Sequence, residues 1–514
     1  MTETFWGLVE SAARTHPDRT VLTDNYGRTL TAGELWRAGL TTAAAFAADG
    51  IGPDTLVSWQ LPTTLETMVV MVALARLGAV QNPILPIWRE SELRFATAQL
   101  GVTHLVIPGV WRGYDHVAMA QAVSSNGLPR VLVIDHAEAP LPDELRLPAG
   151  DLALLPAPPT SAVAARWVYY SSGTTAAPKG VRHCDRSVIA GSSGVVGMVG
   201  ASAADVYPIA FPISHIGGAA MLAAALRTGM TLALFDNFDP TTTPKAMAAQ
   251  RPTLLGTATP FFVAYLAAQR QHGAEPLYPD LRGCLGGGAP LTPELCKQIR
   301  DELGVPGVAN SWGLTEFPVA TSPQTGADAA VLDYTVGPPV PGVRVRVVDE
   351  HGQDVPAGAE GELLLSGPQC FLGYVDAALD AAAFTDDGWF RSGDLGRIDT
   401  AGNVVVTGRL KDAIIRNAEN ISALEIENLL ADHPGVDDVA VIGVPDPRTG
   451  ERVCAVIVPA ADAQISLETV AAHCTARGLS RHKIPERLEL VDALPRNLTG
   501  KVLKTELRNQ FGGR

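Results

Sequence analysis

The segment Tyr169-Tyr170-Ser171-Ser172-Gly173-Thr174-Thr175-Ala176-Ala177-Pro178-Lys179-Gly180 gathers four Ser/Thr hydroxyls, two glycines and one lysine into a turn-prone stretch. The apolar run before it, Arg166-Trp167-Val168-Tyr169-Tyr170, has the composition of a strand. A strand that ends in such a loop points to an α/β fold. Hydroxyls and glycine N–H groups can surround phosphate oxygens, and the lysine supplies charge. The first expectation is therefore a nucleotide triphosphate held at a strand end. The loop is not a G-x-x-x-x-G-K-[ST] element, because Pro178 precedes Lys179 and Gly180 follows it. Kinase-type and GTPase-type phosphate loops are disfavoured on that ground.

The rest of the chain limits what such a loop can serve. With 514 residues, two or more domains are expected. A content of 46% hydrophobic and 18% charged residues is that of a soluble globular protein. The net charge of −15 and the lack of a long basic run argue against nucleic acid as a partner. An acidic protein that binds an anionic nucleotide must concentrate positive charge locally or recruit a metal ion. The N-terminus has no basic leader, and no uninterrupted apolar stretch reaches membrane-spanning length. Met68 to Val80 contains Arg76 and Ile216 to Phe235 contains Arg227, so both read as buried helix or strand. The six cysteines include no C-x-x-C pair, which fits reduced core thiols in a cytoplasmic protein.

Helix-like and strand-like patterns alternate on both sides of the loop. Thr31 to Asp49 and Leu61 to Leu77 read as helices. Thr103 to Ile107 and Arg130 to Ile134 read as buried strands, and such alternation argues for parallel α/β layers. From Val336 the character changes to strands separated by Gly and Pro turns, as in Val343 to Val348 and Gly361 to Leu365. Past Gly408 a further region of about 100 residues has room for a small α+β domain. It holds a helix from Ala423 to Ala431, strands Val439 to Ile442 and Val453 to Val458, and a helix after Ser466.

Five further segments follow the loop. Gly286-Gly287-Gly288-Ala289-Pro290 permits close backbone approach to a flat ligand. Asn310-Ser311-Trp312-Gly313-Leu314-Thr315-Glu316 offers an aromatic face, a hydroxyl and a carboxylate. Phe390-Arg391-Ser392-Gly393-Asp394-Leu395-Gly396 brings a carboxylate able to bridge two ribose hydroxyls. Gly408-Arg409-Leu410-Lys411-Asp412 is a charged break, and Asn497-Leu498-Thr499-Gly500-Lys501 sets a lysine on a C-terminal turn. In this order and spacing they resemble the signatures of the adenylate-forming superfamily of acyl-CoA synthetases, luciferases and peptide-synthetase adenylation domains. Pro338 to Gly342, Gly361 to Leu363 and Phe371 to Tyr374 fit the same pattern, so the resemblance covers nearly the whole chain.

The resemblance implies an N-terminal adenylation domain over 1–408, with a β-rich subdomain at about 336–406. It implies a hinge at 409–412 and a mobile α+β domain over 413–514. It also implies an acid–thiol ligase that uses ATP, Mg²⁺ and coenzyme A, first making an acyl-adenylate and pyrophosphate, then an acyl thioester and AMP. Ser171, Ser172, Gly173, Thr174, Thr175 and Lys179 would cover the β- and γ-phosphates. Thr315 would touch the α-phosphate, and Glu316, with Thr315, would hold Mg²⁺. Gly288, Ala289 and Pro290 would line one side of adenine. On the other side Asn310, Ser311, Trp312 and Gly313 would lie, with Trp312 stacking where the family usually has tyrosine. Asp394 and Arg409 would take the ribose hydroxyls. Lys501 would bridge the α-phosphate and the substrate carboxylate, and Lys411 would be the pivot. His215 would stand at the family's gate beside the acid pocket.

Two departures stand out. Ala176 replaces a glycine of the usual phosphate loop, and Ala418, in Asn417-Ala418-Glu419, lies where backbone is expected to face coenzyme A. With no carrier domain expected after Arg514, coenzyme A is the favoured acceptor and a separate carrier protein the alternative. A non-catalytic nucleotide or acyl-adenylate sensor is the reading from another class, and retention of Lys501 argues against it. Phe211, Ile213, His215 and the small residues Gly217, Gly218, Ala219 and Ala220 suggest an apolar acid pocket. That suits a medium-chain, alicyclic, aromatic or steroid-derived acid better than acetate. Pro495 to Lys501 also resembles the site at which bacterial relatives are acetylated, which makes an acetyltransferase acting on Lys501 a partner to test. A homodimer is allowed.

Overall fold

The computed structural model describes residues 3–125, 127–135, 144–171, 178–288, 291–416, 419–497 and 500–512. The strand before the loop spans Ala165–Ser171. It lies inside a six-stranded sheet, whose order is Lys179–Cys184, Ala165–Ser171, Val80–Pro83, Leu56–Trp59, His104–Ile107 and Arg130–Val133. All neighbours run parallel except Lys179–Cys184, which folds back antiparallel with Lys179 opposite Ser171. The two ends of the loop are therefore ladder partners.

The helix Leu65–Leu77 is buried along its whole length. That explains an apolar run with no polar face, which suits a helix packed on both sides rather than an amphipathic one. It begins four residues later than the sequence pattern suggests. Thr64, in extended backbone, caps it by accepting the N–H of Thr67. The second long apolar run, Ile216 to Phe235, divides into the helix Ile216–Thr228 and the strand Thr231–Leu234. Among the described residues no helix is long and apolar enough to cross a membrane.

A second layer joins the parallel strands Val206–Ile209, Thr231–Leu234 and Thr20–Asp24 to the short antiparallel strand Thr29–Thr31. Next to it runs the parallel sheet Leu254–Thr257, Gly283–Gly286 and Val308–Asn310. An ion triad ties the first of these layers to the central helix. Arg28 pairs with Asp24 at 2.8 Å and with Glu66 at 2.6 Å, and all three residues are buried.

The change of character near residue 336 corresponds to an antiparallel sheet of Arg344–Val348, Gly361–Ser366, Phe390–Ile398 and Val404–Arg409. It has its own apolar cluster around Phe317, Phe371 and Phe390. Beyond it a five-stranded sheet pairs Val436–Asp446 with Gly450–Pro459 and carries the helices Ala423–Leu430, Leu467–Ala476 and Lys504–Phe511. Fold class is as the sequence pattern implies, α/β layers followed by a β-rich unit and a smaller α+β unit. The six cysteines are all free, and five of them are buried.

Candidate active site

The site lies where three strand ends and two turns meet. Ser171 closes its strand, and its hydroxyl donates to Glu316 Oε1 at 3.3 Å. The same oxygen accepts the Tyr374 hydroxyl at 2.9 Å. Lys179 Nζ lies 5.3 Å from the centre of the Tyr374 ring. One tyrosine thus orients the carboxylate and supports the lysine. Burial and the adjacent Glu316 raise the Tyr374 phenol well above its ordinary value, so it stays a donor. The strand Lys179–Cys184 also carries His183, whose Nε2 lies 2.8 Å from the Thr315 carbonyl and whose Nδ1 lies 2.9 Å from Ser187 Oγ. Burial lowers this imidazole to about 4, so it is neutral and fixes the turn that holds Thr315 and Glu316.

Opposite these groups, Gly286 and Asn310 end parallel strands. Ser311 Oγ donates to the Gly286 carbonyl at 2.8 Å. A Cβ on Gly286 would come within 2.6 Å of Asn310 Oδ1, an oxygen that is buried without a partner. Gly288 has a φ of 81°, a conformation glycine takes freely. Gly313 packs on the backbone of Val319, where a Cβ would meet the amide nitrogen at 2.5 Å. Trp312 is buried in the cluster with Phe317, and its indole N–H donates to Asp394 Oδ2 at 2.7 Å. Asp394 is register partner to Arg409, and Arg409 Nε lies 2.8 Å from Asp394 Oδ1.

The Lys501 turn comes from the far end of the chain. Asn497 Oδ1 accepts the Lys501 backbone N–H at 2.9 Å, and Arg496 holds the Gly500 carbonyl while pairing with Asp438. Gly500, at φ 79°, rests on Pro260, whose ring a Cβ would strike. This seats the turn against the large unit. There Lys501 is half-buried, and desolvation, with Arg409 and Lys411 nearby, lowers its ammonium to about 8. Lys411 is likewise lowered by burial and by Arg409. Next to it Asp412 pairs with Arg508 at 2.8 Å, and one turn earlier Lys504 pairs with Glu427 at 2.6 Å.

The structure therefore brings together Ser171, Lys179, Thr315 and Glu316 in one group. Trp312, Asp394, Arg409, Lys411 and Lys501 form an adjacent one. Ser172 to Thr175, Ala176, Ala289, Pro290, Asn417 and Ala418 lie outside the described residues. Glu419 begins the strand Glu419–Ile421.

His215 caps the helix Ile216–Thr228 and lines a cleft with Trp88, Tyr170, Ser214 and Thr315. Burial lowers its imidazole to about 4, and Nε2 has no partner. Of the small residues expected to wall the acid pocket, Gly217 is half-buried beside Phe211, whereas the other three pack inward. Ala219 and Ala220 are buried in the interior, and a Cβ on Gly218 would collide with the backbone of Ile213. Their smallness serves close packing of the helix on its own entry loop. The motif reading had no role for Tyr374 or His183. Their partners are 58 and 132 residues away in sequence, so no local pattern carried the signal.

A Mg²⁺ ion fits the donors present. Magnesium binds through one or two carboxylates plus substrate phosphates, and Glu316 offers a buried carboxylate beside the phosphate-loop strand. Among the described residues no three His, Cys, Asp or Glu side chains form a protein-only metal site.

The family model of AMP-binding enzymes matches residues 9–375, and that of the AMP-binding enzyme C-terminal domain matches residues 425–501. The chain belongs to the AMP-binding enzyme family. It is an enzyme of the acid–thiol ligase class. It is 31% identical to the medium-chain fatty-acid–CoA ligase of Escherichia coli, over 99% of this chain and 90% of that protein. It is 33% identical to the salicyl-AMP ligase / salicyl-S-ArCP synthetase of Mycobacterium tuberculosis, over 98% of this chain and 90% of that one. ATP-bound MatB of Rhodopseudomonas palustris superposes with a TM-score of 0.87 at 28% identity, covering 99% of both chains.

Proposed function

We propose that the protein is an ATP-dependent carboxylic acid–CoA ligase working in two half-reactions at this site. A substrate carboxylate oxygen attacks the α-phosphorus of ATP, and the bond to the bridging oxygen of pyrophosphate breaks. The acyl-adenylate then receives a thiol at its acyl carbon, AMP leaves, and the thiol proton passes to solvent. The obstacle in the first step is repulsion between two anions, and fixed positive charge offsets it. Lys179 serves the β- and γ-phosphate side and Lys501 the carboxylate and α-phosphate side. Asp394 and Arg409 hold the ribose. Glu316, with Thr315, would hold Mg²⁺, which when bound neutralises phosphate charge. The acid is already ionised at neutral pH and needs no general base, so neutral His215 lines the pocket.

The observation that carries this reading is the seating of Gly500 on Pro260, with Lys501 beside Arg409 and Asp394. A half-buried lysine brought from a C-terminal turn to Arg409 and Asp394 suits adenylation better than passive binding. Residues 413–514 would then swing about Lys411 to admit the thiol.

The acid proposed is medium-chain, alicyclic, aromatic or steroid-derived. The second reading is a free-standing enzyme that loads a carrier protein, since one relative is named for transfer to a carrier. A cytoplasmic setting, Lys501 acetylation and a homodimer complete the proposal. An acid panel scored for pyrophosphate and thioester, with and without coenzyme A, tests it. Acid-dependent pyrophosphate with thioester on coenzyme A is expected. Thioester only on a carrier protein would favour the second reading, and no acid-dependent release would remove both.

A further inference from the structure

Trp312, placed by the family resemblance where tyrosine is usual, uses its indole N–H. An indole nitrogen donates and cannot accept. Here its acceptor is Asp394 Oδ2, 2.7 Å away in a buried setting. The ring cannot turn aside easily. The Trp312 backbone is bridged to Thr321, with its N–H on the Thr321 carbonyl at 3.1 Å, and the side chain is buried in an apolar cluster. Asp394 is fixed from the other direction. Its backbone N–H donates to Ser392 Oγ at 3.0 Å, and that hydroxyl donates to the Leu363 carbonyl at 2.6 Å.

With the main chain pinned, the remaining freedom is rotation of the carboxylate, and the indole N–H sets it. The result is an asymmetric carboxylate. Oδ2 is occupied, whereas Oδ1 has no hydrogen bond although Asp394 is only 2% exposed. Arg409 Nε lies 2.8 Å from Oδ1 without hydrogen-bond alignment, so it supplies charge and leaves a lone pair open. A buried acceptor with a charged neighbour but no aligned hydrogen bond gains when a ligand hydroxyl donates to it.

We propose that Trp312 is a specificity-determining residue for the sugar of the nucleotide: its N–H locks Asp394 so that Oδ1 accepts one ribose hydroxyl and the site rejects the nucleotide lacking it. This rests on the ATP-binding reading of the site above. Reading one hydroxyl through one oriented oxygen makes the two deoxy analogues unequal.

The test measures binding of ATP, 2′-deoxyATP and 3′-deoxyATP to the full chain by calorimetry. In the unaltered enzyme one deoxy analogue is expected to bind about 10-fold or more weaker than the other, the span one hydrogen bond to a charged group carries. Trp312→Phe keeps an aromatic face and loses the donor. It should lower the ratio of ATP to the disfavoured analogue by about 10-fold, mainly through weaker ATP binding. If that variant does not fold, benzothienylalanine at position 312 replaces the N–H by sulfur in a ring of the same shape. Equal losses for both analogues in the unaltered enzyme, or an unchanged ratio in either variant, overturn the proposal. ATP binding with the expected ratios but without acid-dependent pyrophosphate release leaves it standing and removes the adenylation reading.

Discussion

At the residue scale, Lys501 carries the sharpest expectation. Lys501→Gln keeps length and loses charge, and it should reduce adenylate formation by about 100-fold or more with little change in fold, as removal of one preorganised charge does. Burial with Arg409 and Lys411 lowers Lys501 to about 8 in the free protein. The charged form therefore prevails below pH 8. Adenylation kcat/KM should hold through neutrality and fall as pH rises through about 8, and Lys501→Arg should move that limb upward because guanidinium stays charged. Tyr374→Phe removes the hydroxyl that orients Glu316. Weaker Mn²⁺ binding by the ATP complex, followed by electron paramagnetic resonance, is expected, and unaltered Mn²⁺ affinity would exclude that positioning role. Lys501 could be singled out from the sequence because its turn forms part of a motif. Tyr374 could be quoted in a motif but given no role, because its hydroxyl acts on Glu316, in a turn 58 residues away in sequence.

At the element scale, strands and helices were legible wherever the apolar pattern was long. The helix expected over Thr31 to Asp49 spans Ala32–Ala48, with Thr31 and Glu34 forming a capping box. The strand expected over Val453 to Val458 lengthens to Gly450–Pro459, because it pairs along Val436–Asp446, which local pattern does not reveal. Polar ties between elements were not legible at all. Asp24, Arg28 and Glu66 belong to none of the sequence motifs, yet they form one buried triad. Arg28→Met would strand two carboxylates, and a loss of about 3–5 kcal/mol is expected in urea unfolding. A loss below about 1 kcal/mol, the size of an exposed pair, would show that the triad is wet in solution.

At the scale of the whole molecule, the two units share one site. The helix Lys504–Phe511, which follows the Lys501 turn, pairs with the break at 409–412 through Arg508–Asp412 and with the helix Ala423–Leu430 through Lys504–Glu427. In the proposed swing about Lys411, the turn and the break would move together. Lys411→Pro restricts that backbone, and thioester formation should slow while adenylate formation is spared. Equal loss in both half-reactions, measured separately, would argue against a pivot at Lys411. Acid identity was not legible, because small residues in the sequence serve packing as readily as a pocket wall, as Gly218 does. The central claim is that this chain joins AMP to a carboxylate before any thiol arrives. Isotope exchange between pyrophosphate and ATP, run with an accepted acid and no thiol, measures that step alone. Exchange that requires the acid, proceeds without coenzyme A and is lost in Lys501→Gln is the predicted result. Exchange independent of the acid, or absent until coenzyme A is added, would contradict it.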